Sequence, residues 1–448
     1  MSPTNTPQPL DAKLLQTRIM PILAFAILFS VLNGVMFNVA IPDIAATFSL
    51  SPSTVSWVVS AYVVMFALGS VLYAKLAERF AIRDLISVGL GLFSLGSVVG
   101  YVGDSFAWLM IGRLIQASGA SGIPALGMML ATLYAPAHLK GTVLGMFAST
   151  VAFAAGIAPL VGGFLAGNFG WKALFFLPLA TLIVIPAFRR FLPDEIKHPR
   201  PFDFFGATAF AVAITALLFA VTKGRWDLLL GAVIAAALFA WHIRRVSAPF
   251  LPPALFGLRR YRSGLIIVIL AIAPAFAMMF AVPIMLRDVH ALDTMAIGLV
   301  TFPGAMSGAL AGYFAGKFSA RLTPYRIVLG GIVILGSGLI ALMVLHRFDP
   351  WVTALCLVCG NGGFSIIHSS LANTISETLE RVNTGVGMGL FNLTFFLSGA
   401  LGTAAAGRVL SIPLPSIPVD AYTVLFGVIA LVSGCAFVAF RRVFRQAL

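Results

Sequence analysis

Apolar residues fill this chain in blocks of about twenty, the length a helix needs to cross a hydrocarbon layer, and short charged clusters separate the blocks. Fourteen blocks can be marked off. The first six run approximately over 19–41, 54–73, 85–103, 107–133, 142–166 and 171–188. Two more lie near 204–222 and 227–243, and six follow near 263–286, 295–315, 326–345, 350–371, 384–407 and 421–440. The pattern predicts an all-α polytopic membrane protein with 14 transmembrane helices.

Composition agrees with the pattern. The chain is 60% apolar and only 10% charged, against ~25% charged in soluble domains, and its mean hydropathy is +1.01. A net charge of +14 could indicate nucleic acid, but a nucleic-acid binder carries its basic residues on a water-facing surface. Here they sit between apolar runs. An even number of spans puts both termini on one side. Of the 29 Lys and Arg, 22 fall on that side and six on the other, which places both termini in the cytoplasm. The remaining one, Arg113, falls inside a span.

The polar start "MSPTNTPQPLDAKLLQTR" precedes an apolar run too long for a signal-peptide core and without a small-residue cleavage site, so that run is expected to remain as the first span. Cys356, Cys359 and Cys435 are too few for a disulfide framework. The C-x-x-C at 356–359 lies within an apolar span and reads as buried thiols, so no metal or cofactor is expected. The chain contains no H-E-x-x-H, G-x-S-x-G or G-x-x-x-x-G-K-[ST] motif and no appended soluble domain, which argues against an enzyme.

An internal repeat organises the spans. "AKLAERFAIRDLI" at 74–86 aligns without gaps with "GKFSARLTPYRIV" at 316–328, pairing Lys75 with Lys317 and Arg79 with Arg321. Each joins the second and third helix of a group of six. The expected order is a cytoplasmic tail over 1–18, a six-helix bundle over 19–190, linkers and a two-helix insert over 191–262, a second bundle over 263–440, and a tail over 441–448. Related bundles can rock about a site at the membrane midplane, which is alternating access.

In its spans and its repeated loop the chain resembles the major facilitator superfamily, and within it the fourteen-helix drug:proton antiporters. "LNGVMFNVAIPDIA" at 32–45 is similar to that group's first-helix motif. "AKLAERFAIR" resembles the superfamily loop signature, with Ala74 and Ala81 at its glycine positions and Glu78 at its aspartate position. "RLIQASG" resembles the fourth-helix motif, with Arg113 and Gln116 retained, and "AAGIAPLVGG" resembles the fifth-helix antiporter motif, with Pro159, Gly162 and Gly163 retained. Further runs such as "GSVVGYVGDSF" and "NLTFFLSGALG" are most similar to tetracycline efflux proteins of Gram-positive type. The resemblance implies proton-driven export of an amphipathic drug across a bacterial inner membrane. Its partners would be lipid, a small-molecule substrate and protons, without nucleic acid, and the chain would act as a monomer.

Physical readings accompany each motif. Gly156, Pro159, Gly162 and Gly163 can form a gating hinge, because a helix-interior proline removes a hydrogen bond and small residues allow close approach; generic packing is the alternative. Lys75, Glu78, Arg79, Arg83 and Asp84 can form a cytoplasmic latch or a solvated loop. Asn33, Asn38, Asn361 and Asn392 can line a cavity or tie helices together.

The acids complicate the resemblance. All fifteen Asp and Glu fall in loops or at helix ends. The resembled exporters carry acids within the first, fifth and thirteenth spans, and aligned through the motifs those places hold Gly34, Ala155 and Gly399. Coupling could then use Asp43 at the outer mouth of the first span, or His368, whose side chain exchanges protons near neutrality. Alternatively the cargo is a neutral or anionic metabolite and Arg113, with Gln116 one turn away, supplies positive potential. A guanidinium stays protonated, so Arg113 cannot carry the proton.

Overall fold

The computed structural model describes residues 11–136, 139–192, 203–246, 249, 253–318, 323–379, 384–412 and 420–444, and among these it is all helix and turn. The helices are α1 (Ala12–Thr47), α2 (Pro52–Leu76), α3 (Ile82–Val102), α4 (Phe106–Ala120), α5 (Gly122–Tyr134), α6 (Lys140–Phe169) and α7 (Trp171–Phe191), the last largely 3-10 in character. They continue as α8 (Phe204–Lys223), α9 (Trp226–Ile243), α10 (Arg259–His290), α11 (Thr294–Phe318), α12 (Pro324–Leu345), α13 (Pro350–Ser376), α14 (Thr384–Leu410) and α15 (Ala421–Phe444).

Among the described residues, twelve helices are long and apolar enough to cross a membrane, against the fourteen spans expected. The two shortfalls differ in kind. The span expected at 107–133 divides at Ser121 into α4 and α5, of 15 and 13 residues. Pro124 has no N–H to donate to the Ala120 carbonyl, and the Ser30 hydroxyl of α1 donates to that carbonyl instead, at 3.0 Å. The span expected at 227–243 forms over those same residues, as α9, an apolar helix shorter than the twelve.

Helix starts explain where the acids went. The side chains of Asp203, Asp349 and Asp420 accept from the backbone amides of Gly206, Trp351 and Thr423 at 2.7, 2.8 and 2.7 Å. Each satisfies a donor that the first helical turn leaves without a partner. The outer surface is apolar, with Ile183 76% and Leu431 73% exposed, as expected of a surface that meets lipid.

The packing repeats between halves. In the first, α1 packs on α6, α2 on α4 and α3 on α4; in the second, α10 packs on α14, α11 on α13 and α12 on α13. The halves meet reciprocally, α6 against α11 and α14 against α2, with α1 also touching α10. The α8–α9 pair leans on α14. At the α6–α11 crossing the backbones touch, since a Cβ on Gly163 would stand 2.9 Å from the Gly298 Cα. We call the end where α1 begins and α15 finishes the near end, and the opposite one the far end.

Candidate functional site

Arg113 lies in α4 and is 1% exposed. Its setting depends on how closely α3 approaches: a Cβ on Gly96 would stand 2.3 Å from the Gln116 amide nitrogen, so only glycine allows the contact. That approach brings Ser97 beneath Gln116, whose Nε2 donates to the Ser97 Oγ at 2.7 Å. Arg113 Nη1 donates to Asn33 Oδ1 of α1 at 2.9 Å and to Gln116 Oε1 at 3.2 Å. The guanidinium carbon also lies 4.0 Å from the Phe37 ring centre and 3.9 Å from that of Tyr62 in α2.

The charge is therefore met by two amide oxygens and two ring faces. A desolvated cation–π contact contributes about 2 kcal/mol or more, which offsets part of the cost of holding a guanidinium at this depth. Four polar atoms of this cluster have no hydrogen-bond partner among the described residues: Arg113 Nε and Nη2, Asn33 Nδ2 and the Tyr62 hydroxyl. Three of them can only donate. A buried group rich in unused donors is suited to a ligand that brings acceptor oxygens or negative charge.

Two of the positions where the resemblance implied acids face rings. A Cβ on Gly34 would meet Tyr62 Cε1 at 3.4 Å, and one on Gly399 would meet Phe276 Cδ1 at 2.9 Å. Ala155, at the third, is half-buried in α6. At Gly399 the Phe276 ring occupies space that a carboxylate side chain would need, whereas at Gly34 the Tyr62 ring is in ordinary contact.

The structure gathers Asn33, Arg113 and Gln116 and separates the remaining candidates. Asn38 is half-buried and Asn361 buried, and the Oδ1 of each lacks a hydrogen-bond partner among the described residues. Asn392 is exposed on α14. His368 belongs to the second half, with its ring 4.2 Å from Phe395 and nearly parallel to Phe364 and Phe391. The halves touch through Phe66 and Phe396, ring centres 5.2 Å apart, and Phe66 stacks with Tyr62 at 6.2 Å. An aromatic path thus joins the Arg113 cluster to the His368 cluster.

Asp43 sits ten residues beyond Asn33 on α1, about 15 Å along the axis, at the far end. It accepts from Arg287 Nη2 of α10 at 2.7 Å and from the Thr294 hydroxyl of α11, and Arg287 also donates to Thr294 at 2.8 Å. Nearby the Ser53 amide donates to Ser411 Oγ at 2.9 Å. Both contacts cross between the halves.

Several loop charges meet partners of the first half. Lys75 meets Glu78 at 3.4 Å, and Asp84 meets Arg189 at 3.3 Å and Arg83 at 3.8 Å, while Arg79 lies over the Phe80 ring. The aligned second-half residues 319–322 lie outside the described residues. In α6, Gly162 abuts the Met36 carbonyl of α1, and the Pro159 carbonyl abuts Gly298, so these positions serve helix contact.

Phe37, Tyr62 and Ser97 around Arg113, and Arg287 and Thr294 around Asp43, escaped the sequence reading. Asn33 and Phe37 are four apart and share a face of α1, which was a usable signal. Tyr62 and Ser97 arrive from other helices, and no spacing along the chain marks them.

Residues 23–403 match the family model described as Major Facilitator Superfamily. The chain belongs to that superfamily. Its members transport solutes, and this protein is a multi-pass membrane transporter and not an enzyme. It is 27% identical over 391 residues to the riboflavin transporter RibZ of Clostridioides difficile (strain 630), covering 86% of each chain. It is 26% identical over 393 residues to the multidrug resistance protein Stp of Mycobacterium tuberculosis (strain CDC 1551 / Oshkosh), covering 85% of this chain and 73% of that one. In fold it is similar to an auto-inhibited POT family peptide transporter, with a TM-score of 0.69 at 15% identity over 95% of this chain and 97% of that one. A D-xylose-proton symporter gives 0.67 at 13% identity, over 94% and 96%.

Proposed function

We propose that this transporter exports an amphipathic aromatic molecule by alternating access driven by proton antiport, as a fourteen-span subtype of the superfamily. The carrying observation is the buried Arg113 cluster, whose unused donors stand beside ring faces that reach the other half through Phe66 and Phe396. Donors suit acceptor oxygens on the cargo and ring faces suit its planar apolar part. Similarity to a multidrug resistance protein and to a riboflavin transporter supports a cargo of this kind.

In this reading α4 and α5 together make one span and α9 another, giving fourteen spans arranged as six, two and six. The bundles 19–190 and 263–440 rock against each other while 191–262 carries the insert. Both termini face the cytoplasm of a bacterial inner membrane, as the Lys and Arg bias supports, and the far end faces outward. Asp43 and His368 are the proposed coupling groups, Gly156, Pro159, Gly162 and Gly163 the hinge, and the 75–84 loop the cytoplasmic latch. The chain works as a monomer.

A second reading, export of a neutral or anionic metabolite, is favoured by the absence of a carboxylate partner for Arg113 among the described residues. One experiment separates the two. An efflux-deficient bacterial host expressing the chain is challenged with a drug panel, and everted vesicles are assayed for drug-dependent proton movement. Resistance with proton release that Arg113→Ala abolishes supports drug antiport. Accumulation of an anionic aromatic solute without any drug phenotype supports the second reading. Transport indifferent to Arg113→Ala sinks both.

A further inference from the structure

Beyond the Asp43 bridge, the far end of the second half holds a polar cluster that the transport reading leaves unused. His346 caps the end of α12 and is 2% exposed. Its Nδ1 lies 3.1 Å from the Leu342 carbonyl and its Nε2 lies 2.9 Å from Asp420 Oδ2. Asp420 also accepts from Arg347 Nε at 2.8 Å and from the Thr423 amide at 2.7 Å.

Burial pushes the Asp420 carboxyl up, but the Thr423 amide, Arg347 and His346 outweigh it and bring the group down to about 2. Near neutrality it is a carboxylate with no hydrogen to give. The Leu342 carbonyl has none either. Both imidazole nitrogens thus face acceptors only, and both bonds form only if each nitrogen carries a hydrogen. A neutral ring would turn a lone pair toward one acceptor. The C-terminus of α12 adds its own partial negative charge, which favours a cation there.

The cluster is mechanically connected to the bridge between the halves. The His346 carbonyl lies 2.8 Å from His290 Nε2, the last residue of α10. Arg287, one turn earlier on α10, is the residue that holds Asp43. Asp288, between them, accepts from the Tyr422 hydroxyl of α15 at 2.5 Å. The charged and titratable groups around His346 among the described residues are thus Asp420 and Tyr422 from α15, Arg347 and Asp349 from the following turn, and Asp288, Arg287 and His290 from α10.

We propose that His346 is a proton-binding positioning residue for the far mouth. With the proton bound, it clamps the end of α12 to the start of α15, presents its carbonyl to His290, and so sets the last turn of α10 where Arg287 bridges to Asp43. When the proton leaves, the clamp loosens and the mouth opens more readily. Acid on the far side therefore favours closure, opposite to the effect expected if protonation of Asp43 alone controlled the bridge. The inference rests on alternating access between the halves.

Two measurements test it on the full chain in lipid nanodiscs. In protein labelled with 15N-histidine, one of the six histidines is expected to show a hydrogen on both ring nitrogens near neutrality, as the two facing acceptors require. His346→Gln removes that signal. The absence of such a signal in the unsubstituted protein overturns the proposal without reliance on any variant.

For the second measurement, spin labels are placed at Ala46→Cys and Ile412→Cys, with the native cysteines replaced by serine. The long-distance population is expected to grow about threefold between about pH 5.5 and about pH 8.5, the size of one partly exposed ion pair. His346→Gln, which can donate to Asp420 at any pH, should flatten this response. A response unchanged in His346→Gln, or a population that falls as pH rises, overturns the proposal. Failure of every transport assay with an intact pH response would sink the proposed export and leave the clamp standing.

Discussion

The centre and the far end of this molecule handle cations in opposite ways. Arg113, 1% exposed, is held by amide oxygens and ring faces, whereas Arg287 and Arg347, with side chains 35% and 68% exposed, each meet a carboxylate at 2.7 Å. The contrast follows water. A carboxylate at a helix end keeps part of its hydration and also serves as a cap, so ionisation costs little. At mid-depth a carboxylate would have to be desolvated beside the guanidinium, and a buried ion pair gains stability only if every remaining lone pair is satisfied. Neutral acceptors avoid that cost and leave the centre with unspent positive charge for a ligand.

Replacing the central cation should have the largest effect. Arg113→Ala is expected to lower transport by about 100-fold, and Arg113→Lys should not restore it, because an ammonium cannot span Asn33 and Gln116 while lying flat on two rings. Uptake into everted vesicles checks this, with size-exclusion profiles confirming a folded protein. Near-normal transport in the lysine variant would erase the distinction drawn for the centre.

Next comes the crossing on which both regions depend. Gly163→Leu forces a side chain into the Gly298 backbone, and overpacking of this kind costs about 1–3 kcal/mol, so a drop in thermal midpoint is expected in nanodiscs. At the far end, Asp43→Asn should weaken a pair whose side chains are 35% and 25% exposed. After discounting for solvent, about 1 kcal/mol is expected, seen as a several-fold larger open population in the Ala46–Ile412 distance measurement. Ser30→Ala leaves the Ala120 carbonyl without its hydroxyl donor and should cost about 1 kcal/mol on thermal unfolding.

The smallest effect is acid titration of Asp420. Its folded value lies below the ordinary 3.8, at about 2, so its contribution to stability is present above about pH 4 and is lost as pH falls from there toward about 2. Asp420→Asn should remove that part of the acid transition and leave stability near neutrality lower throughout. An acid transition identical in the variant would mean the far-end carboxylate contributes nothing that the centre lacks.

Much of the fold was legible along the chain. Apolar blocks marked the helices, the loop pair at 74–86 and 316–328 marked the repeat, and Arg113 with Gln116 marked the centre. What escaped had identifiable causes. Apolar length could not show that the fourth span divides at Ser121, ahead of Pro124. Asn392 matched the other intramembrane asparagines in type, yet it is exposed while Asn33 and Asn361 are buried, because hydropathy does not encode which side of a helix meets a neighbour.

The sequence alone determined that this chain lives in a bilayer, that it is helical, and that no acid stands mid-span to neutralise Arg113, because composition and block length are properties of single segments. Which atoms answer that charge, and which carboxylates reach across the far end, were decided only by the tertiary structure. Phe37, Tyr62, Asn33 and Ser97 come from three helices, and Asp43 and Arg287 are 244 residues apart. Such contacts depend on helix rotation and on glycine-permitted approach, as at Gly96 and Gly163, and neither is a property of any one segment.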